Sequence, residues 1–567
     1  MKKTISVFLA LLMLLCAVPV QAFASNETVV NITKEQMSSN AYAYVENALK
    51  EAKLSATSSK PYRIELPSGE YKLDKCLHIY SNTKLVLNDD TTLIKNFSSG
   101  NMIKLGVQEE VNDGYSGYHN VMISGGVWDA DYRGSCIMRF AHCNNVTVKN
   151  AVMKNQKDEH FLELAAADNF IISKCQFLNY RKTKSATDGL AVQIDHMHSA
   201  YHFPSYAKYD DTPCKNITVE NCVFDNIYSG VGSRSGVAGG YFTNIKIKNN
   251  TFSNVRNAAV RIINYRNSSI TSNTINSATY GIVFENFPES NVSGRLFRPH
   301  SGKVRINNNT NTEIKDNKIE VVNHASSSKS SGILLRGGSL SSKNAKKYGL
   351  PAGGYYVQGL EASNNEIKVK SASSKGIYML SANKNKIKSN TIKSYVLSKS
   401  NGISAYASSS NEFSDNSVSY FNYGVVTTGK SSKNVFSGNR IKHNNKYGIG
   451  IDKTSKAVIN YGNSITKNKK GAVEINSKKY SANLKTPKIK AKKVKRNYNL
   501  SWKKTGGVSG YKIYRSKKKK SGYVLIKTQK DKSKTKYTDK KAKGKKYYYK
   551  IQTYRSVNGT KIYGKIA

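Results

Sequence analysis

The sequence predicts an all-β chain: a right-handed parallel β-helix of about three short strands per coil, followed by a small β-sandwich. Three observations predict it. A short phrase recurs along the chain, Asn residues stand at one fixed place in that phrase, and helical periodicity is nearly absent while β-branched residues and Gly dominate. A leucine-rich or other helical solenoid would need the opposite pattern.

The phrase is an apolar-x-apolar pair, then Asn, one residue, and another apolar residue. VTVKNAVM, ITVENCVF, IKIKNNTF, SITSNTI, NKIKSNTI, NEFSDNSV and NVFSGNRI are examples. Anchored on its third element, it gives one column: Asn150, Cys175, Cys222, Asn250, Asn273, Asn317, Asn365, Asn390, Asn416, Asn439 and Asn463. Most steps are 23–28 residues; three, of 47, 44 and 48, imply inserts or an irregular coil. A step of the shorter size suits one coil, which cannot bury its apolar face alone but can when stacked. Each Asn amide at an inward turn can donate to its equivalent about 4.8 Å away in the next coil. Cys175 and Cys222 fit the column as small buried residues, with a disulfide as the alternative.

Taken in order, residues 1–24 read as a secretory signal. Lys2 and Lys3 open it, Phe8 to Val20 is apolar but short for a bilayer, and Ala22-Phe23-Ala24 offers a cleavage site before Ser25. An uncleaved anchor is the alternative. No later segment reads as spanning, so the mature chain is expected to be soluble, secreted or on the cell surface, away from the membrane. Residues 25–60 form an N-terminal cap. Within it, Asn40 to Leu54 is amphipathic, with Tyr44, Val45, Ala48, Leu49 and Ala52 on one face, and would cover the open edge of the solenoid. Residues 61–484 are the β-helix.

At Thr486-Pro487 the composition shifts: residues 485–567 hold 29 Lys and Arg against 2 acids, with alternating strands around Trp502. Over the whole chain 89 Lys and Arg face 37 Asp and Glu, a formal charge of +52. That balance favours anionic partners such as uronic-acid or wall polymers, and equally suits a basic protein that simply adheres to its own anionic wall. For nucleic acid it supports only non-specific attraction. Six cysteines remain beyond the leader, Cys76, Cys136, Cys143, Cys175, Cys214 and Cys222. No CxxC pair is present, so structural zinc is not expected and their pairing stays open.

The repeat resembles the pectate-lyase-like right-handed β-helix superfamily over roughly residues 60 to 480. Tyr62–Leu73, Ser81–Lys95 and Asn120–Tyr132 look like the first coils of such proteins. The tail resembles a fibronectin type III domain, which implies Trp502 as core of the second strand and Tyr547 as corner tyrosine. It would act as a spacer or adhesive unit, with its lysines available to a cell-wall polymer. TDGLAVQID (Thr187–Asp195), SGVGSRSG (Ser229–Gly236) and VRII (Val260–Ile263) partly resemble polygalacturonase segments, with Asp188 at a matching position. The paired aspartates are missing, Arg234 stands where His is expected, and Ile263 replaces Lys, so that activity does not carry over. EHFLELA followed by VQID is similar to Gram-positive surface β-helix proteins.

Function on a solenoid shows where outward residues on one strand turn chemical. Period-two alternation places Glu163, Gln193 and Arg261 in one outward column and Asp195, Arg234, Glu285 and Arg336 in the next, with His160, His196 and His198 beside them. Inserts at His196–Pro213, Asn286–Gly302 and Gly337–Tyr356 would wall a groove. Two of them carry aromatics for sugar stacking: Tyr201, Phe203, Tyr206 and Tyr209, then Tyr348, Tyr355 and Tyr356. A salt-bridge ladder is the structural alternative for the charged columns, and surface residues or a weak metal site for the histidines.

Two chemistries fit. Glu163 and Asp195 could be acid and base of a glycosidase, their backbones about 8 Å apart, within the inverting range of roughly 6.5–9.5 Å. Alternatively a uronan loses its C5 proton, with Arg234 or Arg261 as base or charge stabiliser and its carboxylate neutralised by Ca²⁺ on Glu163 and Asp195. Asp188 joins the catalytic candidates by resemblance. His160, Gln193, His196, His198, Tyr201, Tyr206, Glu285, Arg336 and Tyr355 are the substrate-binding candidates. The expected function is cleavage or modification of an acidic polysaccharide by a monomer (lyase or hydrolase, with epimerisation a third possibility), and the rival is a non-catalytic surface adhesin.

Overall fold

In the computed structural model, residues 26–183, 189–286 and 295–567 are described; the expected signal segment, Asp188 and most of the Asn286–Gly302 insert's first half lie outside them. The chain is a right-handed parallel β-helix. Strands of successive coils pair in parallel register on three faces, for example Val146–Lys149 on Phe170–Ser173, Val152–Lys157 on Gln176–Arg181, and Leu162–Ala165 on Val192–Asp195.

The core is built from stacked identical positions, because alternation sends every second residue inward. On the third face Leu162, Val192, Val231, Val260, Ile282, Ile333, Ile377, Ile403, Val425, Ile449 and Val473 follow one another in register, all buried. On the second, Phe177, Phe224 and Phe252 stack at 4.7 and 4.5 Å with rings within 10° of parallel. Near each start of the third face the coils approach closely: a Cβ on Gly376 would lie 2.6 Å from the Gly402 carbonyl and 2.1 Å from Ile392, so only glycine fits.

The Asn column is a hydrogen-bonded ladder. From Asn250 through Asn273, Asn317, Asn365, Asn390, Asn416 and Asn439 to Asn463, each side-chain amide donates to the next Oδ1 at 2.8–3.0 Å. Shorter ladders repeat it elsewhere: Asn385, Asn411 and Asn434, and Asn444 with Asn468. Cys175 and Cys222 do occupy the column, and all six cysteines are free thiols. The column's earlier end is Ala151, in register with Cys175, and not Asn150; Asn150 sits one residue earlier, exposed and at φ 55, in the preceding turn.

The cap helix α1 spans Lys34–Ser55, starting earlier than expected at a Thr33–Gln36 capping box. Asn40 is non-helical and caps the second segment by accepting from Ala43 N–H. The buried face is Met37, Ala41, Val45, Glu46, Ala48, Leu49 and Ala52, while Tyr44 is exposed; Glu46 is admitted because it accepts from the His78 backbone at 2.9 Å and lies 3.1 Å from its ring. Among the described residues no helix is long and apolar enough to cross a membrane.

The C-terminal segment forms two antiparallel sheets. One holds 489–494, 497–502 and 536–539; the other holds 510–516, 524–529, 548–557 and 560–566. Trp502 lies buried on the second of these seven strands, edge-on to Tyr511 at 5.3 Å. Tyr549 is buried and donates to Asp539 at 2.9 Å, while Tyr547, the residue expected at a corner, lies half-buried under the Arg515 guanidinium. The last strand also pairs in parallel with Val458–Ile459, so this unit seals the final coils.

Candidate functional site

The third face carries one outward column through the whole solenoid. Register places His78, Lys104, Arg139, Glu163, Gln193, Gly232 and Arg261 in line, so Glu163, Gln193 and Arg261 share a column as read from alternation. The same column then runs through Val283, Leu334, Tyr378, Ser404 and Val426, and its chemistry fades. Two residues along the strand, Asp195 stands beside Ala165, and Glu285 lies between Ile263 and Arg336.

These charges are buried and paired. Glu163 is 2% exposed; its Oε2 takes Arg139 at 2.7 and 2.8 Å and the Cys136 thiol at 3.3 Å. Glu285, 1% exposed, sits between Arg336 at 2.5 Å and Arg261 at 3.4 Å. Burial alone would raise its carboxyl; Arg261, Arg336 and Arg295 together hold it below the ordinary range. Asp195 differs. Burial, and then the Glu163 charge, push its carboxyl up to about 7, although Gln193 donates to it at 2.7 Å, Ser235 at 3.2 Å, and half-buried Arg234 acts from nearby.

The insert 196–214 closes over this column and does not merely wall it. Phe203 and Tyr206 pack with Met197 on Ala141, Ala165 and Ala166, small side chains that leave room for rings. Arg139 reaches the Pro204 carbonyl at 3.3 Å and faces the Phe203 ring at 5.4 Å, and Lys104 bonds the Ser205 carbonyl beneath Tyr206. A further insert between Leu105 and Tyr118 holds it down: Gly114 N–H donates to Asp210 at 2.8 Å and Tyr115 to the Pro213 carbonyl at 2.8 Å.

The expected sugar platforms therefore separate. Tyr201 is 90% exposed, edge-on to His202 at 4.9 Å. Phe203 and Tyr206 are buried packing residues, and Tyr209 bonds the Phe203 carbonyl. Tyr355 is buried among Ala238, Leu296, Leu340 and Leu350, tied to the Pro351 carbonyl. The third insert contributes a short helix, α2 (Ser342–Tyr348), that alternation did not show. His160 bonds the Leu190 N–H at 3.0 Å and so staples adjacent coils. His196 is buried against Phe242 at 4.2 Å, and burial pushes its imidazole down to about 3, keeping it neutral. Asp188 lies outside the described residues.

Glu163 Oε2 and both Asp195 oxygens are engaged by Arg139, Gln193 and Ser235, cationic and neutral donors that do not fit a Ca²⁺ site, which takes about 6–8 oxygen ligands. Sequence reasoning missed Arg139 and Lys104, although stepping one coil of 24 residues back from Glu163 reaches Arg139. It also missed His202, Asp211, Phe297 and His300, whose meeting depends on inserts that no periodicity governs.

Fold and face define a right-handed parallel β-helix protein. A family model described as a right-handed beta helix region matches residues 354–516. Plasmin and fibronectin-binding protein A of Streptococcus pneumoniae is 24% identical over 255 residues, 38% of this chain and 35% of that protein, so the likeness spans about a third of the relative's length. Among solved structures, PfbA, a surface adhesin of S. pneumoniae, is 15% identical with a TM-score of 0.46, covering 75% of this chain and 90% of its own. A tailspike protein of an E. coli bacteriophage in complex with a pentasaccharide gives 12% and 0.48, covering 91% and 90%. The A-module of an Azotobacter vinelandii mannuronan C-5 epimerase gives 12% and 0.37, covering 78% and 94%.

Proposed function

We propose that the chain is an exported surface protein of a Gram-positive bacterium that binds an acidic polysaccharide along the third face, as an adhesin, without cleaving it. One observation carries this reading: Glu163, Asp195 and Glu285 are each at most 4% exposed and already engaged by protein donors. A carboxylate held that way has no open path to a glycosidic oxygen or its attacking water. Exposed Tyr201, half-buried Arg234 and the charge of +52 supply stacking and attraction instead. The S. pneumoniae relative is named for binding plasmin and fibronectin, which supports a binding role and does not bear on a polysaccharide ligand. Residues 485–567 act as a fibronectin type III-like spacer whose exposed lysines contact anionic wall polymer.

A second reading, a carbohydrate-active enzyme, is favoured by Asp195. A carboxyl pushed up to about 7 beside the Arg-paired Glu163 on the neighbouring coil is the division of roles an acid and its partner carboxylate need. In this reading the insert lifts before chemistry.

Both are tested by incubating the exported chain with uronic-acid and neutral polysaccharides, with and without Ca²⁺, following binding, unsaturated-product absorbance and new reducing ends. Binding with no product supports the adhesin. Absorbance lost in Arg234→Ala or Glu163→Gln would establish a lyase, and reducing ends alone, lost in Asp195→Asn, a hydrolase. An altered uronate composition with neither signal would establish an epimerase.

A further inference from the structure

The inserts meet at a cluster that the glycan reading does not use. His198 and Asp211 come from the first insert and His300 from the second, and one ligand atom from each lies within 4.8 Å of the others. Asp211 bridges: its Oδ1 is 2.5 Å from His198 Nδ1 and its Oδ2 is 3.1 Å from His300 Nδ1. We propose that His198, Asp211 and His300 bind a zinc-type divalent transition-metal ion that clips the two inserts together above the third face.

The donor chemistry selects the metal. Two imidazoles and a carboxylate are the three-ligand set of an open tetrahedral zinc site, with the fourth position left for water or a ligand oxygen. A Ca²⁺ or Mg²⁺ ion prefers oxygen donors throughout and would not choose two ring nitrogens. The scaffold is preformed on one side. His198 is held flat against Phe297 at 4.5 Å and 10°, and the Asp211 backbone, at φ 61, donates to the Met197 carbonyl at 2.9 Å. The His198 and Asp211 side chains are 15% and 14% exposed. His300 is the adjustable arm: 50% exposed and stacked on His198 at 4.7 Å, it tilts toward Asp211 to close the site, and its backbone N–H already donates to Asp211 at 2.5 Å.

Asp211 between two imidazoles also makes sense without metal, as a carboxylate hydrogen-bonded to two rings, and the experiment separates the two. The full exported chain, kept reduced, is titrated with Zn²⁺ and separately with Co²⁺, following heat and the visible bands of tetrahedral Co²⁺. One ion per chain is expected, with affinity falling at least about ten-fold in Asp211→Asn, His198→Ala and His300→Ala and unchanged in His202→Ala. Ca²⁺ in excess does not displace it. His300→Ala, at an exposed position, guards against misfolding as the cause of a loss. Absence of Zn²⁺ binding in the parent chain, or binding that survives Asp211→Asn and His300→Ala, overturns the proposal. Either result leaves the glycan assays untouched, so the two readings fail separately.

Discussion

The coils from Val357 to Ile475 and those from Met138 to Arg336 stack in the same parallel register around a buried apolar core, yet they differ in what they show to solvent. In the later coils the Asn ladder advances in near-constant steps, the strand loops are short, and the outward column on the third face is Tyr378, Ser404, Val426 and Gly450. In the earlier coils Cys175 and Cys222 interrupt the ladder, long inserts leave the third face, and the same column holds Arg139, Glu163, Gln193 and Arg261. A solenoid coil needs only its inward half to stack, so the outward half and the turns are free to specialise. Where the chain is most regular it is scaffold, and where the repeat is stretched it is site.

The sharpest way to break this comparison is to remove a charge from the earlier coils. Glu285→Ala leaves Arg261 and Arg336 without their shared counter-charge, and about 3–5 kcal/mol of stability should be lost, read as a fall in the denaturant midpoint. Tyr206→Ala, in the buried part of the insert, should cost about 3–5 kcal/mol of local stability and expose the insert to protease before the coils unfold.

In the later coils Asn390→Ala takes the Oδ1 acceptor from the Asn365 backbone and side-chain N–H groups and the side-chain donor from Asn416 Oδ1, at about 1–3 kcal/mol for a buried group left unpaired. Cys222→Ala removes only a small side chain and should cost about 1 kcal/mol. If the two are equal, the ladder adds nothing beyond packing.

The pH response sharpens the contrast further. Asp195 holds its proton to about pH 7 when folded, well above the ordinary carboxylate value, so the folded state binds more protons than the unfolded one between those limits. Stability from this group is present at low pH and is lost as pH rises through about 7. Asp195→Asn should therefore gain on the parent chain when melting at pH 8 is compared with pH 5; an unchanged difference would show that Asp195 titrates normally. The smallest effect is expected at Tyr201. Tyr201→Ala should leave stability within about 0.5 kcal/mol while weakening glycan binding several-fold.

Much of this was legible in the residues. The Asn phrase located the ladder from Asn250 to Asn463, and alternation put Glu163, Gln193 and Arg261 in one column, because period-two geometry and coil length are local properties of the chain. Asn150 was displaced by one residue because the first coils replace the Asn with Ala151 and Cys175, so the phrase slides there without penalty. The aromatics of the inserts were legible as residues but not as surfaces. Tyr201 and Tyr206 lie five residues apart, and only the landing of the insert on Ala141 and Ala165 makes one exposed and the other buried.

The sequence by itself thus determined the solenoid, its repeat, its cap and the columns that carry charge. Tertiary structure alone decided that Arg139 neutralises Glu163, that Asp195 is desolvated, and that His198, Asp211 and His300 converge. The first set follows from repeating short-range geometry. The second follows from where long inserts come to rest, which is set by packing between residues as far apart as Asp211 and His300 and leaves no period to read.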